Sequence, residues 1–287
     1  MCEKKDLAIG GQAIIEGIMM RSEGLIATAI RNPQGEIIVE RKPYRSLVKR
    51  YKALNIIVIR GFINLIEMLY FGMKIMLHSA DIALGADKET KLNKWEMFTS
   101  AAMGIGFSIL LFVVLPAFAF VQLKAFISNT FLLNVVEGLI RITIFVGFLL
   151  FTLIMKDMRR VYEYHGAEHK TIHAYEAGLP LDVESIKTRT TLHPRCGTSF
   201  ILIVLLISIV VFTFLGRPDF LHRVAYKLSL LPLISGVAYE IIKLSGKYRA
   251  GFMKILVFPG LMLQKITTRE PDAGQIEVAI AALKEVI

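Results

Sequence analysis

The stretch MFTSAAMGIGFSILLFVVLPAFAFVQL at residues 97–123 decides the fold class of this chain. It is longer than the roughly 20 apolar residues that an α-helix needs to cross a bilayer. A second apolar stretch at residues 131–155 follows after the short linker 124–130. The two stretches therefore predict an antiparallel hairpin of membrane-spanning helices. Residues 199–215 and 224–244 are further apolar candidates, so the sequence predicts a multi-pass α-helical membrane protein with about four transmembrane helices.

The composition excludes an ordinary soluble protein. Hydrophobic residues make up 54% of the chain, and the mean hydropathy is +0.56. The net charge of +10 is explained by basic loops that face the cytoplasm and anionic lipid headgroups. No sequence-specific nucleic-acid recognition motif accompanies this charge, so membrane lipids are the first expected partners. The only cysteines are Cys2 and Cys196, which excludes a disulfide framework.

The N-terminal part is predicted to lie outside the membrane. Residues 1–52 are expected to form a small β-rich cytoplasmic domain that ends in a basic linker. Its sheet is predicted to have three strands, with a turn at Asn-Pro-Gln-Gly, residues 32–35, because proline fixes φ and glycine permits φ > 0. Residues 53–96 are apolar but carry charges, as is typical of an amphipathic or interfacial helical region.

The C-terminal half continues the predicted transmembrane domain, residues 97–263. Within that domain, residues 251–263 contain Pro259-Gly260 and are predicted to be interfacial or re-entrant. Residues 264–287 are expected to form an amphipathic helix, either on the membrane surface or against the soluble domain.

The charge distribution predicts the orientation. The loop at residues 156–198 is rich in Lys and Arg, whereas the loops on the opposite side offer only Lys124, Arg217 and Arg223. Positive charge marks the cytoplasmic side. With four spans, both termini and the loop at residues 156–198 are therefore predicted to be cytoplasmic.

That loop contains the sequence HGAEHKTIH at residues 165–173. In a helix, His165, His169 and His173 lie on one face because they recur every four residues. Neutral imidazole is a good ligand for zinc or iron-type ions. The pattern therefore favours a divalent-metal site, with zinc as the preferred ion. The alternative is a solvated polar helix that faces lipid headgroups.

His165, Glu168 and His169 have the H-x-x-E-H spacing of inverted zinc peptidases. In that pattern the two histidines bind the metal and the glutamate is the general base for the hydrolytic water. Glu168 is therefore the candidate catalytic base. A third ligand is needed, and the candidates near in sequence are Glu176, His173 and His193, with Cys196 behind them and Glu240 ranked lower.

The second chemical motif is His-Pro-Arg-Cys-Gly-Thr-Ser at residues 193–199. Arg195 beside Cys196 is expected to lower the pKa of the thiol, which would make Cys196 a catalytic nucleophile or a ligand. The alternative interpretation is a turn, in which Thr198 or Ser199 caps the span that begins there.

Three motifs together resemble those of the YqhQ-like bacterial membrane proteins. They are GGQAIIEGIMMR at residues 10–21, YHGAEHK at 164–170 and HPRCGTS at 193–199. The resemblance implies a multi-pass protein of the bacterial plasma membrane. It also implies a family of unknown function whose members are described as predicted metal-dependent enzymes.

Two functions follow as hypotheses. The first is a metal-dependent hydrolase that acts at the membrane interface on a lipid-linked or membrane-protein substrate. The second is a non-enzymatic scaffold or biogenesis factor, whose basic face would bind the translocon, a ribosome or another membrane protein. An oligomer is compatible with either.

Overall fold

The computed structural model describes residues 9–85, 94–247 and 251–287, so Cys2 lies outside the described residues. The strands are β1 (Gly10–Ile14), β2 (Gly17–Ser22), β3 (Leu25–Arg31) and β4 (Ile37–Pro43). The helices of the described residues are α1 (Leu47–Arg50), α2 (Ile59–Ala83), α3 (Lys94–Ile109), α4 (Leu115–Leu123), α5 (Thr130–Thr152), α6 (Lys156–Glu176), α7 (Val183–Lys187), α8 (Gly197–Thr213), α9 (Phe220–Lys247), α10 (Gly251–Thr267) and α11 (Ala273–Lys284).

The N-terminal sheet has four antiparallel strands in the order β1-β2-β3-β4, so the predicted three-stranded sheet is wrong. Residues 13–20 form one apolar run in the sequence, with Glu16-Gly17 in its middle. Glu16 adopts a positive φ of 49°, which turns the chain and divides this run between β1 and β2. The Glu16 carboxylate accepts a hydrogen bond from Nη2 of Arg160 at 2.5 Å.

The sheet shares one hydrophobic core with helices from the middle and the end of the chain. Ile18 and Ala29 of the sheet, Ala167 of α6 and Ile276 of α11 are buried together in this core. Helix α11 therefore lies against the sheet and α6, which is the second of the two arrangements expected for the C-terminal residues. We call this assembly of β1–β4, α6, α7 and α11 the extramembrane unit.

Three of the described helices are long and apolar enough to cross a bilayer, which indicates a membrane protein. They are Trp95–Leu123, Thr130–Thr152 and Phe220–Leu244. The remaining span of the four predicted is α8, an apolar helix of 17 residues. Its length of about 25 Å is less than the roughly 30 Å of a hydrocarbon core.

The helix Trp95–Leu123 is not a regular α-helix along its whole length. Residues Leu110–Val114 form a π-helical turn between α3 and α4. Pro116 follows in the first turn of α4, where its ring leaves no N–H for a regular helical hydrogen bond. The wider turn lets the chain continue as one apolar helix past the proline.

Helices α2 and α9 pack closely through two glycines. A Cβ at Gly61 would lie 2.9 Å from Cα of Gly236, and a Cβ at Gly236 would lie 2.3 Å from the carbonyl oxygen of Val58. The Arg60 guanidinium donates to both carboxylate oxygens of Glu240, at 2.6 and 2.5 Å. Glu240 therefore links two helices, and it is not a member of either group of potential metal ligands found among the described residues.

We predict that Gly236→Ala destabilises the protein, because the new methyl group collides with the backbone carbonyl of Val58. Unlike a side chain, this carbonyl cannot rotate away from the contact. Overpacking of this kind costs about 1–3 kcal/mol. Thermal unfolding of the purified protein in detergent measures the effect. Gly147→Ala in α5 is the control, since its Cβ meets nothing within 4 Å. Equal unfolding temperatures for the two variants would contradict the close α2–α9 contact.

Candidate metal centre

Four of the six histidines lie together where the extramembrane unit meets α8 and α10. Helix α6 contributes His165, His169 and His173, and His193 lies in the segment between α7 and α8. Ring centroids are 4.4 Å apart for His165 and His169, 5.5 Å for His169 and His193, and 4.6 Å for His173 and His193. The helical face predicted from the spacing is therefore present, and tertiary packing adds His193 to it.

The first group of potential ligands consists of His165, His169 and Cys196, whose donor atoms all lie within 4.8 Å of one another. His165 Nδ1 donates to the carbonyl oxygen of Thr267 at 2.8 Å, and His169 Nδ1 donates to that of Thr191 at 2.5 Å. Both Nε2 atoms therefore keep their lone pairs. His165 Nε2 lies 3.2 Å from Sγ of Cys196.

These backbone hydrogen bonds are typical of metal-binding histidines, which usually donate their other ring N–H to a carbonyl or carboxylate. They fix both the tautomer and the orientation of each ring. Imidazole nitrogen and thiolate sulfur are both donors that zinc commonly binds. The first group therefore fits a divalent ion in the chemistry of its donors.

The second group, His173, Glu176 and His193, also has its donor atoms within 4.8 Å of one another, but it fits a metal less well. The Glu176 carboxylate is already in an ion pair with Arg195. His193 Nδ1 accepts from the Arg195 backbone N–H at 3.3 Å, which leaves the proton of the neutral ring on Nε2. That nitrogen is the one that faces Glu176, at 3.8 Å.

Burial keeps the inner imidazoles neutral. It lowers the pKa of His169 well below its usual value, lowers the pKa of His193 to about 4 and also lowers the pKa of His173. Neutral imidazole is the form that binds metals. The environment thus keeps these rings ready to act as ligands at neutral pH.

Glu168 is buried beside the first group, with 5% of its surface exposed. Burial is the main cause that raises its pKa to about 7. It packs against Gly11 of β1, where a Cβ would lie 2.7 Å from the carboxylate carbon. Among the described residues, nothing bonds to its Oε2 atom. This carboxylate can therefore hold or release a proton near neutral pH, as a general acid or base must.

Cys196 differs from its expected state. Burial raises the pKa of the thiol, whereas the sequence predicted that Arg195 would lower it. Arg195 does not lower the pKa of Cys196, because its guanidinium pairs with Glu176. Cys196 is also the residue that caps α8, since its sulfur accepts from the Thr198 N–H at 3.5 Å. The expected cap at Thr198 or Ser199 is thus displaced to Cys196.

Sequence reasoning missed the residues of α10 that hold the site. Gln264 accepts from the backbone N–H of His193 at 2.8 Å and donates to its carbonyl oxygen at 2.9 Å. Thr267 supplies the carbonyl that orients His165. Gln264 and Thr267 fall within residues 264–287, where the sequence predicts a separate amphipathic helix, but α10 continues through both of them, and no motif marks them. Gly11 belongs to a quoted motif, yet its contact with Glu168 could not be foreseen.

An open groove of about 600 Å³ lies behind the histidines. Thr191 and Leu192 line it, and their carbonyl oxygens accept hydrogen bonds from His169 and His173. Its charged lining residues are Arg159, Lys265, Arg269, Glu163 and Glu270. Glu163 accepts from Gln275, and Glu270 pairs with Lys170. The three cations give this groove a basic character.

We predict that Gly166→Ala disrupts the site. A Cβ at Gly166 would lie 1.9 Å from the carbonyl oxygen of Arg269, so α6 and the end of α10 would separate and Thr267 would move away from His165. The expected destabilisation is about 3 kcal/mol, measured by thermal unfolding. Gly197→Ala is the control, because its Cβ meets nothing within 4 Å. A Gly166→Ala protein as stable as this control would refute the close packing.

The fold and the site define a membrane protein with a buried histidine and cysteine cluster outside its apolar helices. Residues 56–287 match a family model described as "Protein of unknown function (DUF1385)". The chain is also 32% identical to the "Uncharacterized protein YqhQ" of Bacillus subtilis (strain 168), over 295 residues that cover 98% of this chain and 92% of the relative. The chain therefore belongs to this YqhQ-like family of unknown function, and the resemblance is confirmed. No solved structure matches it.

Proposed function

We propose that this protein is a metal-dependent hydrolase that acts at the membrane interface. The observation that carries the proposal is the first donor group, in which the lone pairs of His165 and His169 and the sulfur of Cys196 face one another. Zinc is the ion that this set suits best. Cys196 is thus assigned as a ligand and not as a nucleophile, while His173, His193 and Glu176 form a supporting shell.

A zinc ion bound there would act as a Lewis acid and lower the pKa of a water molecule. Glu168 would be the general base of the reaction. Its carboxylate interacts electrostatically with His165 and Cys196, and its free Oε2 atom is available to take a proton. Burial between β1 and α6 keeps this carboxylate away from bulk water.

The connections of the site support a position at the membrane surface. Helix α6 begins four residues after α5 ends, and α8 begins at the residue after Cys196. The positive charge of residues 156–198 favours the cytoplasmic side. We accordingly place the site and both termini in the cytoplasm of a bacterial cell, with α8 inserted as a short fourth span of the plasma membrane.

The basic groove supports an anionic substrate. Lys265 lies near the end of α10 and Arg159 in the first turn of α6, where a lipid headgroup would be found, and Arg269 extends the positive lining. A phosphate-bearing headgroup complements such a surface. A lipid-linked substrate is therefore favoured over a membrane-protein substrate.

We predict that the purified protein contains about one zinc ion per chain. His169→Ala and Cys196→Ser should each lose this ion, because each removes a donor of the first group. His173→Ala is the matched control and should retain it. Elemental analysis by mass spectrometry, after dialysis against a weak chelator, gives the metal-to-protein ratio.

The metal analysis, together with affinity capture from membranes, separates the first donor group from the second and the hydrolase from the scaffold. Loss of the ion from His173→Ala but not from Cys196→Ser would assign it to the second group. A wild-type protein that contains no ion, but is captured from membranes with the translocon in equal amount, would support the scaffold and overturn the hydrolase.

We predict that Glu168→Gln retains the metal and loses activity. Removal of a general base costs about 10²-fold or more in rate. Mass spectrometry of bacterial phospholipids in proteoliposomes compares products formed by the wild type, Glu168→Gln and the exposed control Glu184→Gln. Lipids left unchanged by metal-loaded wild type would contradict a lipid-headgroup substrate.

A further inference from the structure

A second polar cluster lies among the apolar helices, away from the histidines. Glu137 and Arg141 of α5 pair one helical turn apart, with Arg141 Nη2 2.9 Å from the carboxylate. Arg223 and Lys227 of α9 pair with the same carboxylate, and Arg223 does so at 2.5 Å. Arg223 was predicted to lie in a loop, but α9 begins at Phe220 and carries it into the bundle.

The cluster is buried throughout. The exposed fractions are 1% for Glu137, 5% for Arg141, 0% for Arg223 and 4% for Lys227. Phe120 covers the Arg223 guanidinium, whose carbon lies 3.6 Å from the ring centroid. These charges are therefore separated from water and gain little from solvent screening.

The charges of the cluster do not balance. Among the described residues, Glu137 is the one carboxylate within 4.0 Å of the three cations. The cluster thus carries an excess of two positive charges. An arginine does not lose its proton in proteins, so an excess of one would persist even with a neutral Lys227. An uncompensated buried charge costs several kcal/mol.

The two arginines also have N–H groups without an acceptor among the described residues. Arg223 Nη2 donates to Asn134 and Glu137, and Arg141 Nη1 donates to Ser208. In the described part of the chain, Nε of Arg141 and both Nε and Nη1 of Arg223 have no partner. A buried guanidinium with unused N–H groups is expected to have an acceptor.

The position of the cluster restricts the size of any acceptor that could reach these N–H groups. It lies within about three turns of the start of α5 and about two turns of the start of α9, at the opposite end of these helices from α6. The nearby loops are closed by Arg217, which donates to the carbonyl oxygens of Lys124, Ile127 and Ser128 at 2.5–2.8 Å. A ligand with acyl chains would not enter such a closed site, whereas a small ion would.

We propose that Arg141, Arg223 and Lys227, with Glu137 between them, form a binding site for a small inorganic anion of the size of chloride. The anion neutralises excess positive charge and accepts hydrogen bonds from the unused guanidinium groups. Its binding joins α5 to α9 and stabilises the folded helix bundle. This site is independent of the metal centre and of the proposed hydrolase.

The test uses the full chain in lipid nanodiscs. Thermal unfolding is measured in sodium chloride and in sodium gluconate at equal ionic strength, because gluconate is much larger than the proposed ligand. A ligand that binds only the folded state raises Tm by mass action. We expect a Tm at least roughly 3 °C higher in chloride, with a saturable dependence on its concentration.

Two variants locate the effect. Lys227→Met removes one charge with little change in shape and should weaken the chloride dependence about tenfold, since a buried charge pair is worth more than 1.4 kcal/mol. Lys156→Met on the exposed surface is the control and should behave as the wild type does. A chloride effect that both variants retain equally would overturn the assignment to this cluster.

Equilibrium dialysis of the wild type with radioactive chloride keeps the test independent of variant folding. Saturable binding of about one ion per chain supports the proposal. Absence of saturable binding, together with a Tm that does not depend on the anion, refutes it.

Discussion

The hydrogen bonds between histidine rings of α6 and backbone carbonyl groups are the interactions on which the site depends. The carbonyl oxygens of Thr191, Leu192 and Thr267 each accept a hydrogen bond from one imidazole. A carbonyl oxygen can only accept, so the opposite nitrogen of each ring keeps its lone pair. The carbonyls come from the segment after α7 and from the end of α10. The arrangement of these candidate ligands is consequently a property of the assembled fold.

Helix α6 can present these rings because the rest of the chain surrounds it. The sheet covers one side with Gly11, the segment around Arg269 approaches Gly166, and α11 shares the hydrophobic core. Burial then lowers the pKa of His169 and raises that of Glu168, so desolvation favours the neutral form of each. The same exclusion of water that stabilises the unit thus sets the protonation of these imidazoles and of Glu168.

Two buried polar clusters occupy opposite ends of the apolar helices. One consists of neutral imidazoles and a thiol beside the extramembrane unit. The other has three cations around Glu137. Apolar surroundings strengthen the polar interactions within both clusters, because electrostatic interactions increase as the local dielectric constant falls. Each cluster also joins helices that are distant in sequence, which makes polar contacts part of the architecture of this membrane protein.

The local sequence pattern determined those features of the structure that depend only on neighbouring residues along the chain. The long apolar stretches gave the membrane helices, the four-residue spacing placed His165, His169 and His173 on one face, and the Glu137–Arg141 pair followed from its helical offset. Tertiary structure decided the rest. The positive φ of Glu16 made a fourth strand, burial raised the pKa of Cys196 while Arg195 paired with Glu176, and Arg223 entered the bundle. These outcomes depend on long-range contacts and desolvation, which no short sequence pattern contains.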